Sequence, residues 1–374
     1  MPDSYKMRRT RIILKYNNKD ISEDIAKNLL SFKWTDNSSR KADSLDIDLE
    51  NTAGLWNGAW LPAKGATLTA SIVHENWDGG SGIQTLPCGT FQIDETTVSG
   101  PPSKAQIKAV SVPIKTKARG QAKTHGWNDV HLSQIAGDIA SDAGLSLMFD
   151  LQDDPHYQSE DQMEETDLAF LQGLCDDAGA SLKVSHDRLV IFSEEEYEKK
   201  SSVLTFEPGN LTKWNMKNKS ADVYKSCKVS YHDPETDTDI DYEEDADLAD
   251  LSGEDDNGRT LTLNRRVKSR AEAETLAKNS LRNANKYEVS GTLDAPGNLR
   301  VVAGVNIELS GFGAYDGKYA VETVTHTING KGDHTMSISI RRGGNKAQKK
   351  KKGGKGKGGT LDWSTWDKWE DYKS

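Results

Sequence analysis

The hydrophobic period of this chain changes twice along its length, and each change limits what the adjoining stretch can fold into. Leu45-Asp-Ile-Asp-Leu49 alternates strictly, so Leu45, Ile47 and Leu49 share one face of an extended strand. Thr10 to Tyr16, Leu30 to Trp34, Thr67 to Val73, Gly89 to Val98 and Ala105 to Val112 read as further short strands. Turn residues such as Asn17-Asn18-Lys19-Asp20 and Asp36-Asn37-Ser38-Ser39 separate them. Residues 1–118 are therefore expected to form a small antiparallel barrel or sandwich.

Over residues 119–200 the period becomes helical. Leu132, Ile135, Ala136, Ile139 and Ala143 form one stripe, and Gly144 supplies a left-handed C-cap. A second helix opens at Thr166-Asp167, turns Leu168, Leu171, Leu174, Cys175 and Ala178 inward, and ends at Gly179. The two exits, Asp142-Ala-Gly-Leu-Ser-Leu147 and Asp177-Ala-Gly-Ala-Ser-Leu182, resemble each other. Common cap chemistry and an internal duplication explain that equally well. Over residues 201–342 the chain is mainly β again, with a hairpin at Tyr224 to Tyr231 and Thr238 to Tyr242. One helix interrupts it: Ser269-Arg-Ala-Glu272 is a capping box ahead of Ala273, Leu276, Ala277, Leu281 and Ala284. The fold class is α+β and β-dominated, two β-rich regions flanking a helix-containing insert.

The end of the chain differs in kind. Gly343 to Gly359 is Gly/Lys sequence that cannot build a core and reads as a flexible, self-repelling linker. It carries seven lysines; without them 41 Lys+Arg face 58 Asp+Glu, a balance of −17. A body that acidic lacks the basic face that nucleic-acid binding needs, and no nucleic-acid partner is expected. Residues 360–374 hold three of the nine tryptophans. If helical, Trp363, Trp366 and Trp369 cover an arc of roughly 120°, with Leu361 and Tyr372 around them. Aromatics of that density in a polar segment need a surface to bury them, so these five residues are read as a tethered partner-binding peptide.

Several function classes find no footing. No apolar run approaches the roughly 20 residues that span a bilayer, so no stable membrane anchoring is expected. The basic N-terminus leads straight into Ile12-Ile13-Leu14, too short for a secretory h-region, and reads as the first strand of a cytosolically made protein. Cys88, Cys175 and Cys227 form no CxxC pair, and the histidines show no HExxH or HxH grouping. Asp237, Asp239 and Asp241 alternate as calcium ligands can. An EF-hand loop begun at Asp237 would need Gly at 242 and Glu at 248, where Tyr242 and Leu248 stand. The stretch 233–256 is read as a solvated acidic hairpin. No GxSxG elbow or Walker loop occurs, and no carboxylate pair is singled out for glycoside hydrolysis. No catalytic residue, metal or cofactor is assigned, and the chain is read as a non-enzyme.

A set of short patterns follows along the chain in a definite order and spacing. They are Ala42-Asp-Ser-Leu-Asp-Ile-Asp-Leu49; Leu61-Pro62 with Gly65; Gly89-Thr-Phe-Gln-Ile-Asp94 leading to Ser99-Gly-Pro-Pro102; and the Leu132 to Leu145 helix. Glu165-Thr-Asp-Leu-Ala-Phe-Leu171, Pro296-Gly-Asn298, Ala303-Gly304, Gly311-Phe-Gly313, Asp316-Gly-Lys-Tyr319 and Val324-Thr-His326 follow. Together these patterns resemble the phage late-control-D family of baseplate hub proteins, and the resemblance implies two related antiparallel β-barrels per subunit. It also implies a homotrimer that adapts a threefold spike to a sixfold tail tube, and a place in the baseplate of a virion or tail-like particle assembled in the bacterial cytoplasm. Implied partners are the spike, the tube or tube-initiator protein and other baseplate proteins. The linker and Trp-rich end depart from the family pattern. The alternative is a tail-associated glycan-binding adhesin or cell-wall hydrolase. His326, two residues from Val324 on one strand face, is expected to be a packed or interface histidine rather than a ligand.

Overall fold

A computed structural model describes residues 7–77, 82–111, 122–185, 188–233, 237–246, 258–267 and 269–342. Its N-terminal part comprises β1 (Arg9–Tyr16), β2 (Lys19–Asp20), the short helix α1 (Ser22–Ala26), β3 (Leu29–Asn37), β4 (Ser44–Glu50), β5 (Thr67–Glu75), β6 (Ile83–Ser99) and β7 (Lys104–Val110). They pair antiparallel in the order β3-β4-β7-β6-β5-β1-β2. Leu45, Ile47 and Leu49 are fully buried, while Asp46 and Asp48 between them reach the other face. The core they enter also holds Phe32, Trp34, Ile72, Phe91 and Ile93.

The insert follows as β8 (Lys123–His131), α2 (Leu132–Ala143), β9 (Ser146–Asp150), β10 (His156–Glu165), α3 (Asp167–Asp177), β11 (Ala180–Ser185), β12 (Arg188–Ser193) and α4 (Glu194–Lys199). Both expected helices are present, with Gly144 and Gly179 at φ +69° after them. Thr166 caps α3, its hydroxyl accepting from the Ala169 amide at 3.3 Å. The inward stripe of α3 includes Phe170 and the buried Asp167, which the apolar spacing left out, whereas Leu168 is only half-buried. α4 is an additional helix; its signal was Ser193, which accepts from the Glu196 amide, ahead of three glutamates. The two similar helix exits lead into β9 and β11, which flank β12 and run in opposite directions, β9 parallel to it and β11 antiparallel.

The last part comprises β13 (Ser202–Phe206), β14 (Lys213–Asn218), β15 (Ser226–Asp233), β16 (Thr238–Asp245), β17 (Thr260–Leu263), α5 (Arg270–Asn285), β18 (Val289–Pro296), β19 (Asn306–Leu309), β20 (Gly317–Asn329) and β21 (His334–Arg342). It contains two cores. β15, β16 and β17 form their own sheet, which packs through Cys227 and Val229 on Ala273, Leu276, Ala277 and Leu281 of α5. The other strands enclose Leu293, Ile307, Tyr319, Val324 and Ile338. The turn residues Gly311, Gly313 and Gly317 all take positive φ, a conformation that a side chain would strain.

One pairing joins the ends of the chain. β20 runs antiparallel to β3, from Thr323 opposite Asn37 to Asn329 opposite Ser31. It fuses the N- and C-terminal strands into a single 13-stranded sheet. Among the described residues its free edges are β2, β13 and β14.

Candidate functional site

The chemistry-bearing side chains converge where the β regions, the insert and α5 meet. The first junction is the connection between β3 and β4. Lys183 on β11 reaches out of the insert and donates to Asp36 on β3 at 2.6 Å, with Asp43 at 3.5 Å. Asp36 also accepts the Ala303 amide at 2.8 Å, and Asp43 accepts the Asn37 amide at 2.8 Å. The Arg40 amide donates to the Leu182 carbonyl, and the Arg40 side chain pairs with Asp176 on α3 at 2.7 Å. Three parts of the chain are thus tied at one turn.

Two buried carboxylates here share a single lysine. Burial pushes the Asp43 carboxyl up to about 7, against the pull of Lys183, and Asp36 adds to the rise. The native state therefore holds a proton on Asp43 that the unfolded chain releases near the ordinary carboxylate value of about 3.9. Stability from this group falls as pH rises from about 4 to 7. Asp43→Asn keeps an oxygen for the Asn37 amide and removes the excess charge. Urea denaturation at pH 5 and 7.5 is expected to show the stability of wild type relative to the variant falling by about 2 kcal/mol as pH rises, whatever the other titrating groups contribute to both; an identical pH response in both would contradict the assignment.

The second junction is a six-charge network. Arg341 on β21, 4% exposed, reaches Glu194 and Glu198 on α4 and Glu322 on β20. Lys286 meets Glu194 at 3.1 Å, Arg282 on α5 meets Glu198 at 2.8 Å, and the Ser181 hydroxyl donates to Glu194 at 2.5 Å. Three carboxylates face three cations, as burial requires. Burial alone would raise the Glu194 carboxyl, but Arg341 and Lys286 outweigh it and hold it at about 2. Burial pulls Lys286 downward against Glu194.

The third junction is a chain of three histidines, two of them eight residues apart on the β20–β21 hairpin and the third, His74, remote in sequence. His74 on β5, His334 and His326 lie in line: His74 Nε2 to His334 Nδ1 is 2.7 Å, and His334 Nε2 to His326 Nδ1 is 3.0 Å. His326 Nε2 meets the Val301 carbonyl at 3.0 Å. A carbonyl only accepts, so His326 Nε2 carries a proton. With all three rings neutral, His334 must then donate to His326 and His74 to His334. Trp34 stacks on His326 and Trp77 on His74. Burial depresses His326 to about 4, and burial with the neighbouring imidazoles depresses His334 to about 3. His326 is fully buried and held as a packed residue. The cluster left no HExxH or HxH trace in the sequence, because its two near members meet across a hairpin and His74 joins them only by tertiary contact.

These junctions fix strands and helices in place without aiming a nucleophile at a base. Cys175 lies inside α3, where burial pushes its thiol up to about 12. An open cavity of about 470 Å³ beside α4 is lined by Tyr197, Lys199 and Lys200, and Lys199 is paired with Glu196 at 2.7 Å. Asp239 and Asp241 of the acidic hairpin are exposed and bonded within it, to His232 at 2.8 Å and Ser230 at 2.6 Å. Among the described residues no group of three or more His, Cys, Asp or Glu could hold a metal ion. Nor is any described helix long and apolar enough to cross a membrane. Leu361, Trp363, Trp366, Trp369 and Tyr372, with the linker before them, lie outside the described residues.

Comparison with known proteins points one way. Residues 116–332 match the family described as phage tail baseplate hub (GPD). A probable baseplate hub protein of Escherichia phage 186 is 31% identical over 182 residues, 48% of this chain and 43% of that protein. The chain thus spans less than half the length of that relative. The fold resembles a tail protein from Neisseria meningitidis MC58 at TM-score 0.67 and 11% identity, covering 89% of this chain and 97% of that one. It resembles the 43 kDa tail protein of prophage MuSo2 from Shewanella oneidensis equally well, at TM-score 0.67 and 15% identity, over 89% and 98% of the two chains.

Proposed function

The chain belongs to the phage tail baseplate hub (GPD) family, and from that membership we propose that it is the structural hub of a contractile phage tail or tail-like injection particle. The observation that carries the reading is the family match across 116–332, most of the folded body. The adhesin and hydrolase alternatives gain no support from the comparisons.

The proposed hub is a homotrimer between the central spike and the tail tube, in contact with the tube or tube-initiator protein and other baseplate proteins. Two β regions per subunit, six in a ring of three, would let a threefold spike meet a sixfold tube. The contacts between the two β regions support this, because a symmetry adapter must hold them at a fixed relation. The β3–β20 pairing and the three buried junctions supply that constraint. Division of the chain at 1–118, 119–200 and 201–342, with a linker to 359 and a docking peptide from 360, belongs to the same proposal. So do its place in the particle baseplate and its assembly in the host bacterial cytoplasm.

The five tail residues are proposed to bind a partner within that assembly, on the strength of their aromatic density behind a tether. Light scattering on the purified chain, alone and with the spike protein of the same particle, tests the hub. The expected mass is about three times 41.2 kDa, rising on addition of spike. A monomer that takes up neither spike nor tube protein would remove the reading.

A further inference from the structure

Among the described residues the large sheet ends at β14, a six-residue edge strand that carries two lysines and an exposed tryptophan. Among these residues β14 pairs only with β18, which leaves one side of its backbone without a strand partner there. Natural edge strands are commonly short, bulged or covered, since an open edge invites another chain. Here the edge also carries Trp214, 47% exposed and packed edge-on against Phe312. Lys213 and Lys217 project from the opposite face of the strand, both exposed and with no ion-pair partner among the described residues. Asp294, across from Lys213 on β18, is engaged by the Ser337 hydroxyl at 2.7 Å.

The chain itself contains a segment of complementary character. Residues 360–374 bring Trp363, Trp366 and Trp369 together with Asp362, Asp367, Glu370 and Asp371 against only two lysines. A peptide laid along an open edge meets both faces of the strand. Its rings can cover the Trp214–Phe312 pair while its carboxylates meet Lys213 and Lys217.

The tether is long enough to reach the β14 edge of an adjacent copy as well as its own. Arg341 lies opposite Ser290, and Ser290 opposite Lys217, so β21 leaves the sheet two strands from this edge, about 10 Å away. Its own edge could be reached with about five extended residues. Seventeen residues, 343–359, intervene. They span at most about 55–60 Å. A chain of this size has a radius of gyration of about 21 Å, so the edge of an adjacent copy in a hub ring lies within that reach.

We propose that residues 360–374 of one subunit dock on the β14 edge of a neighbouring copy, so that each subunit clasps the next. This rests on the hub reading and names the partner of its tail. Such a contact is heterologous, with different patches on the two subunits, and closes into a ring when the rotation permits.

The test uses the full-length chain with a photocrosslinking amino acid in place of Trp366. Isotopically heavy and light pools are mixed, with and without the spike protein. The expected result is heavy–light crosslinks into residues 213–218, reduced at least about tenfold when the partner pool carries Lys213→Glu and Lys217→Glu. Those exposed substitutions leave the core untouched, and circular dichroism of the variant checks its fold. Crosslinks confined to single chains, crosslinks elsewhere, or none would each overturn the proposal. Spike uptake read by light scattering in the same samples separates the two readings: a ring that binds spike without the tail–edge crosslink leaves the hub standing and removes only the clasp.

Discussion

Replacing Arg341 with methionine is expected to destabilise the native chain by about 3–5 kcal/mol at pH 7, measured by urea denaturation. The side chain is 4% exposed and serves three glutamates at once. Methionine fills much of the volume, so the loss is electrostatic rather than a cavity. Lys286 and Arg282 remain, leaving two cations for three carboxylates in a water-poor junction. Arg341→Lys should recover only part of the loss, because an ammonium is a point charge and cannot address three partners in a planar fork. The pH dependence gives a second signature. Glu194 is held at about 2 in the native state, so it contributes stability that is complete above its ordinary value of about 4.3 and disappears as pH falls toward 2. The gap between wild type and Arg341→Met should therefore narrow as pH is lowered through that range. A variant within 1 kcal/mol of wild type at pH 7 would mean that the network does not hold α4, α5 and β21 together.

The contrast between what the sequence disclosed and what it concealed follows from the range of the interactions. Strict alternation at Leu45 to Leu49 and the stripes of α2 and α5 were readable, because a strand or helix writes its burial pattern at periods of 2 or 3.6. The N-caps Thr166 and Ser269 were readable for the same reason, each accepting an amide three residues ahead. The pairing of β20 with β3 joins residues nearly 300 positions apart, and no local period records it. The six-charge network draws on residues 194, 198, 282, 286, 322 and 341, each an unremarkable charge in its own neighbourhood. Family patterns carried the fold across that gap, since they preserve the order of the elements that the long-range pairing requires. They carried nothing for the tail, which lies beyond the matched residues.

The histidine chain yields the other large effect, and it concerns acid. An unfolded histidine takes up a proton below about 6.5. Native His326 and His334 resist protonation down to about 4 and about 3, because the charged form would sit in a buried site. Between these limits the unfolded state binds more protons, so the stabilisation is complete above about 6.5 and declines as pH falls. Each such group contributes a slope of about 1.4 kcal/mol per pH unit, so lowering pH from 6.5 to 5 costs on the order of 3–4 kcal/mol from the two together. Asp43 works in the opposite direction over much of this range, so the wild-type curve alone understates the effect. The measurement is the difference in slope between wild type and His334→Asn, followed by urea denaturation from pH 7 to 4.5. The variant should lose about one proton's slope, and His326 should lose its donor. Gly297→Ala probes the same element by geometry: a Cβ there would lie 2.1 Å from the ring of His334. Forcing that ring aside should cost about 3 kcal/mol, as overpacking of a tight interior does. If His334→Asn keeps the wild-type slope, the imidazoles are not buried neutral in the native state. The link from β5 to β21 would then rest on the sheet alone.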